Sequence, residues 1–138
     1  MTLLFTYQVS NVLANADYQL TNQSANVVRT GQTFRTLTSN FFEDPIEAYI
    51  ISNETYLTTL QVNYQATIII TDGESNNIGS ISFFNFFQKL NVEPGTKTNK
   101  SIIFAITTAT GLLSGYLNGT VVIDMSGPDT HTIYLFKR

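Results

Sequence analysis

From Leu60 to Thr71 the sequence alternates between apolar and polar side chains, and no other stretch constrains the fold as much. Leu60, Val62, Tyr64, Ala66, Ile68 and Ile70 share one parity, and Gln61, Asn63, Gln65, Thr67 and Thr71 share the other. Successive side chains of a strand point to opposite sides of a sheet, so this pattern predicts a strand with one buried face and one wetter face. Thr, Ile, Val, Phe and Tyr dominate the rest of the chain, strong helix formers are scarce, and no segment sustains a helical period. Further strands are predicted at Leu3–Ser10, Tyr18–Asn22, Thr33–Thr38, Ile46–Ser52, Ile78–Phe87, Ser101–Thr107, Thr120–Met125 and Thr132–Lys137. Turn chemistry separates them at Asp44-Pro45, Asp72-Gly73, Pro94-Gly95, Asn118-Gly119 and Gly127-Pro128-Asp129. Many short strands with turns between them mean an all-β sandwich or a closed barrel.

The 138 residues suit a single domain spanning positions 1–138, and 43% apolar content is enough to bury one core. A formal charge of −3 without a Lys/Arg cluster argues against nucleic acid as a partner, because phosphate neutralisation needs basic residues. With no Cys there is no disulfide and no thiol nucleophile, and one His cannot build a multi-His metal centre in one chain. Any chemistry must come from carboxylates, hydroxyls, amides and shape, and no cofactor is expected. The start, Met-Thr-Leu-Leu-Phe-Thr-Tyr, has no basic segment leading into a long apolar run, so no signal peptide is expected. No apolar run approaches the roughly 20 residues of a spanning helix, which predicts a soluble, cytoplasmic or otherwise intracellular protein. Asn-X-Ser/Thr triplets at Asn22, Asn53, Asn99 and Asn118 are expected by chance in a chain so rich in Asn and Thr.

Strand parity says more between Phe83 and Phe87. Phe83, Phe84, Phe86 and Phe87 put rings on both sides of one strand, whereas a barrel buries only one. Contact with another subunit is the expected cover for the outer rings. His131, in Asp129-Thr130-His131-Thr132, reads as a polar residue entering the last strand, because the Gly-X-Ser-X-Gly of a nucleophile elbow is missing. Glu43, Asp44 and Glu47 read as a solvated turn around Pro45, and Asp72 to Asn77 as a hairpin connection. Gly111, Gly115 and Gly119 recur every four residues, which among β-branched neighbours marks tight bends or close backbone approach.

Phe104-Ala105-Ile106-Thr107, followed by Gly111, Gly115 and Gly119 and then Val121-Val122-Ile123, resembles a glycine-rich segment of allene oxide cyclases. It is similar, more loosely, to dirigent proteins, and Ala109-Thr110-Gly111 to spirotetronate-forming cyclases of the same barrel superfamily. Gly31-Gln32-Thr33-Phe34 with Asn40-Phe41-Phe42-Glu43-Asp44 is similar to the family's turn region. Ala66 to Ile70, Asp72-Gly73 and Ile78 to Phe84 match its paired central strands, and Thr132 to Lys137 its closing strand. The resemblance implies an eight-stranded antiparallel up-and-down barrel, a homotrimer, with a small hydrophobic, unsaturated ligand inside. It implies a cofactor-independent cyclase or isomerase whose walls fold the substrate into a reactive shape. Gln8, at the place of the family's Glu, together with Ser10 and Asn40, would be the catalytic positions; Tyr64, Ile68, Phe84 and Phe104 would line the ligand. Gln8 rather than Tyr7 is then expected to face the cavity. A neutral amide there orients a substrate but supplies no negative charge. The alternative is a non-catalytic barrel, dirigent-like or a structural assembly subunit with an apolar contact surface. A carbohydrate-binding sandwich is a more distant option, and the lack of Trp counts against it.

Overall fold

The computed structural model describes residues 3–8, 12–14, 19–20, 27–88, 101–127 and 129–138. Ten strands appear among them: β1 (Leu3–Gln8), β2 (Val12–Ala14), β3 (Gln19–Leu20), β4 (Val27–Ser39), β5 (Glu47–Leu57), β6 (Gln61–Thr71), β7 (Asn77–Gln88), β8 (Ser101–Gly111), β9 (Thr120–Asp124) and β10 (Thr130–Phe136). Each of β4 to β9 pairs antiparallel with the next, β10 pairs with β1, and β1 pairs with β4. The result is a closed eight-stranded antiparallel barrel of up-and-down topology. The short strands β2 and β3 lie against β4 beyond the stretch that β1 covers. No helix among the described residues is long and apolar enough to cross a membrane.

The alternation in β6 places its residues as parity demands: Val62, Ala66, Ile68 and Ile70 are buried, with Tyr64 half-buried among them. Leu60 leaves the pattern. It ends the turn from β5, its N–H bonded to the Leu57 carbonyl at 3.0 Å and its φ at 66°, so its side chain stays exposed. Inward positions on neighbouring strands complete one continuous core, including Leu3, Phe5, Ile50, Ile81, Phe83, Phe104, Ile106, Ile123, Ile133 and Leu135. Fully burying one such side chain contributes about 1.5–3 kcal/mol. Phe83 faces in at 1% exposure while Phe84 and Phe86 face out at 59% and 60%, as the doubled aromatic pattern predicted.

β4 and β5 run longer than expected, reaching Val27 and Leu57 rather than stopping near Thr33 and Ser52. Their inward positions carry Thr33, Arg35, Ser52 and Glu54, opposite Ser52, Ile50, Thr33 and Gly31 respectively. In the added stretch of β5 the inward Glu54 breaks the apolar contrast on which the alternation depends.

One end of the barrel is closed by the segment after β8. Leu113 is fully buried beneath it, and a short 3-10 turn (Ser114–Tyr116) leads back to β9. Gly111 sits at φ +56°, where an added Cβ would lie 2.2 Å from the Ile78 carbonyl oxygen. At Gly119 it would lie 2.1 Å from the Phe136 carbonyl oxygen. Gly115, by contrast, would meet only the flexible end of Lys137 at 3.5 Å. Two of the three spaced glycines therefore mark close backbone approach.

Gly119→Ala and Gly111→Ala should each lower unfolding free energy by about 2–4 kcal/mol, the range for forced overpacking and backbone strain. Gly115→Ala should stay within about 0.5 kcal/mol of the parent. Urea melts of the three variants check the ordering.

Candidate functional site

At the end where β1 finishes and β10 begins, the interior changes character. Apolar side chains give way to Tyr7, Thr33, Arg35, Ser52, Glu54, Tyr64 and His131, all at inward positions. Pairing fixes that direction: Tyr7 stands opposite His131, Thr33 opposite Ser52, Glu54 opposite Tyr64, and Arg35 opposite the buried Ile50.

The group is knit by hydrogen bonds and ring contacts. The Tyr7 hydroxyl and Nδ1 of His131 share a hydrogen bond of 2.9 Å, with the two rings edge to face at 5.2 Å. Which of the two donates is set by the imidazole tautomer. Arg35 lies over the Tyr7 ring, its Cζ 5.1 Å from the centroid, and donates from Nη1 to the Gln8 carbonyl at 3.3 Å. The buried hydroxyls of Thr33 and Ser52 bond to one another, Ser52 also bonds Tyr64, and Tyr56 donates to Glu54. Beneath them Tyr64 packs on Phe104 at 5.4 Å and Phe104 on Phe83 at 5.0 Å, so a column of rings joins this polar end to the apolar core.

Electrostatics push Tyr7, Tyr64 and His131 toward their neutral forms. Burial raises the Tyr7 hydroxyl to about 12, against the opposing pull of Arg35. Burial likewise holds Tyr64 well above the ordinary tyrosine value, with Tyr7 and Glu54 adding to the rise and Ser52 and Arg35 reducing it. His131 is lowered, first by burial and then by the Arg35 charge, with Asp124 partly offsetting both. Near neutral pH the site therefore presents two neutral phenols and an uncharged imidazole beside the side chains of Arg35 and Glu54. Such a set can hold a carbonyl, ether or hydroxyl oxygen and stabilise charge that develops on it. Among the described residues no group of three or more His, Asp or Glu is placed to hold a metal ion.

The expected site residues scatter. Gln8 is exposed on the outer face, and Tyr7 takes the inward place expected of Gln8, because Leu3 and Phe5 set the inward parity of β1. Asn40 is exposed; its Oδ1 accepts the Leu4 N–H at 3.0 Å, which ties β1 to the end of β4. Ser10 lies outside the described residues, as do Asn22, Asn99 and the Pro94-Gly95 turn. Phe84 is outside the barrel, whereas Ile68 and Phe104 are packed in the core at 0% and 1% exposure. Of the six described positions, only Tyr64 and Phe104 meet at the polar end. Tyr7, Arg35, Glu54 and His131 were missed as a group, although inward parity from Leu3-Phe5 and Ile133-Leu135 points to Tyr7 and His131. The Glu43-Asp44-Pro45 turn is exposed, closed by the Ile46 N–H on the Glu43 carbonyl at 2.9 Å. In the β6–β7 connection Asp72 accepts the N–H groups of Glu74 and Asn76 at 2.8 and 3.0 Å, the hairpin role expected of it.

Scans against protein-family models, curated protein sequences and solved structures return no match, so only the chain's own geometry bears on its function.

Because folding lowers the His131 pKa from its ordinary value of 6.5, the unfolded chain binds more protons below neutrality. This contribution to stability is complete above about pH 6.5 and lost as pH falls through the lower folded value. Thermal midpoints measured from pH 7.5 downward should decline across that window, and His131→Gln should flatten the decline. Tyr7→Phe, which removes the hydroxyl and keeps the ring, should cost about 1 kcal/mol at pH 7.

Proposed function

We propose that this barrel binds a small hydrophobic, unsaturated ligand at its polar end and rearranges it, as a cofactor-independent cyclase or isomerase. The observation that carries the reading is the gradient along the interior, from an aromatic floor at Phe83 and Phe104 to the phenols of Tyr64 and Tyr7. An apolar chain would pack on the floor while an oxygen substituent takes a hydrogen bond from Tyr64, the Tyr7 hydroxyl being engaged with His131. Tyr64, held protonated by burial, keeps that donor in place through neutral pH. Arg35 would offset negative charge developing on that oxygen, and the ring-lined wall would fold the chain into a near-attack shape. In this scheme Gln8 has no part, since it faces outward.

cis-Parinaric acid, a fluorescent polyene, tests the reading directly. Its emission should rise on titration with the protein and saturate at one ligand per barrel. Tyr64→Phe should weaken binding by about threefold to thirtyfold, the worth of one hydrogen bond in a desolvated site. Gln8→Glu should leave affinity unchanged. Absence of saturable binding, together with no co-purifying hydrophobic molecule in native mass spectrometry, would remove the proposal.

A second reading, a non-catalytic, dirigent-like or structural subunit, is favoured by apolar side chains left on the closed end. Leu112, Leu117 and Phe136 are 58%, 46% and 42% exposed there. Contacts between copies through these side chains would give the homotrimer that accompanies either reading. Sedimentation of the parent beside Leu112→Ser, with the trimer lost in the variant, would support assembly; a monomeric parent would exclude it.

A further inference from the structure

The outer face of β5, β6 and β7 carries a second arrangement, separate from the barrel interior. Two rungs cross the three strands there. In one, Asn53 stands opposite Gln65 and Gln65 opposite Phe84; in the other, Thr55 stands opposite Asn63 and Asn63 opposite Phe86. Strands lie about 4.8 Å apart and alternate residues about 7 Å apart, so the six side chains tile roughly 10 by 7 Å. They line a shallow groove of about 470 Å³. None of its lining side chains is charged. The two phenyl rings are among the most exposed large apolar groups of the protein, at 59% and 60%. Gln61 donates to Asn63 Oδ1 at 2.9 Å, which leaves the Asn63 amino group directed to other acceptors. No bond within the described chain occupies the side-chain amides of Asn53 and Gln65.

We propose that this face binds a neutral oligosaccharide, stacked on Phe84 and Phe86 and held through its hydroxyls by Asn53, Asn63 and Gln65. A sugar ring has one face of C–H groups and a rim of hydroxyls. The C–H face suits the electron-rich faces of exposed rings. Each hydroxyl both donates and accepts, and each side-chain amide offers an oxygen acceptor beside an amino donor. The strictly neutral lining selects against anionic glycans and phosphates, which call for basic partners. A second copy of the chain is the poorer occupant. An apolar contact would close over the amides beside the rings and leave them without partners, whereas hydroxyls satisfy them. Phenyl rings are smaller platforms than indoles, so the expected affinity is weak, in the millimolar range that suits short contacts with a repeating polymer.

The test titrates maltopentaose, cellopentaose and mannopentaose into the full chain and follows side-chain amide resonances of Asn63 and Gln65 with saturation transfer to the sugar. At least one pentasaccharide should shift those resonances saturably. The double variant Phe84→Ala, Phe86→Ala should weaken its binding about tenfold or more, while Phe41→Ala, an exposed ring elsewhere, should not. The proposal is overturned if no pentasaccharide shifts the platform at millimolar concentration, or if binding survives the double variant. It is equally overturned if the double variant alters the sedimentation coefficient, because the face is then a contact between copies. Parinaric acid binding is read separately, so failure here does not bear on the interior site.

Discussion

The barrel depends on a narrow seam. β1 shares six register positions with β10 but only two with β4, Phe5 opposite Ser39 and Thr6 opposite Thr38. The seam is reinforced by side chains: the Thr6 and Thr38 hydroxyls bond one another on the outside, and Asn40 takes the Leu4 N–H at the rim. Without these contacts the same strands would form an open sheet with two unpaired edges, the arrangement most prone to pairing with other chains. Closure also makes inside and outside absolute. Once Phe5 points in, Tyr7 and, across the ladder, His131 must follow, while Gln8 must face water.

The polar end of the interior follows from that geometry. The two tyrosines and the histidine are carried inward by strands whose other inward residues build the core. Removing them from water favours their neutral forms: burial moves both phenols up and the imidazole down. The Tyr7–His131 hydrogen bond is compatible with those states, since a neutral phenol and a neutral imidazole can share it in either tautomer. Arg35 is the common neighbour, acting on Tyr7, Tyr64 and His131 alike. Its guanidinium lies over the Tyr7 ring and its Nη1 is tethered to the Gln8 carbonyl. A cluster so ordered differs from a random set of polar residues at a barrel end: the neutral forms favoured for Tyr7 and His131 suit the hydrogen bond between them.

Much of the fold was legible beforehand. β6 and β7 read clearly because apolar residues occupy nearly every inward position from Val62 to Ile70 and at Ile81 and Phe83. β4 and β5 read only over Thr33–Thr38 and Ile46–Ser52; the stretches missed, 27–32 and 53–57, include the inward Glu54. Thr33, Arg35 and Ser52 lie within the predicted strands, but polarity at inward positions does not by itself mark them as a group. Assigning Gln8 to the interior by motif likeness set aside the parity that Leu3 and Phe5 impose. Asn40 likewise matched a motif position, yet its amide serves the seam.

The linear sequence determined that this chain is a β-protein, which side of most strands is buried, where its turns fall, and which catalytic equipment it lacks. Those properties depend on neighbours a few residues apart, through side-chain alternation and turn chemistry. Tertiary structure alone decided which polar residues meet. Tyr7 and His131 come from the two ends of the chain, and Arg35 and Glu54 from strands between them. Only closure of the ladder brings the four to one end of a shared interior. Their altered protonation equilibria arise from that burial and mutual field, which no local pattern encodes.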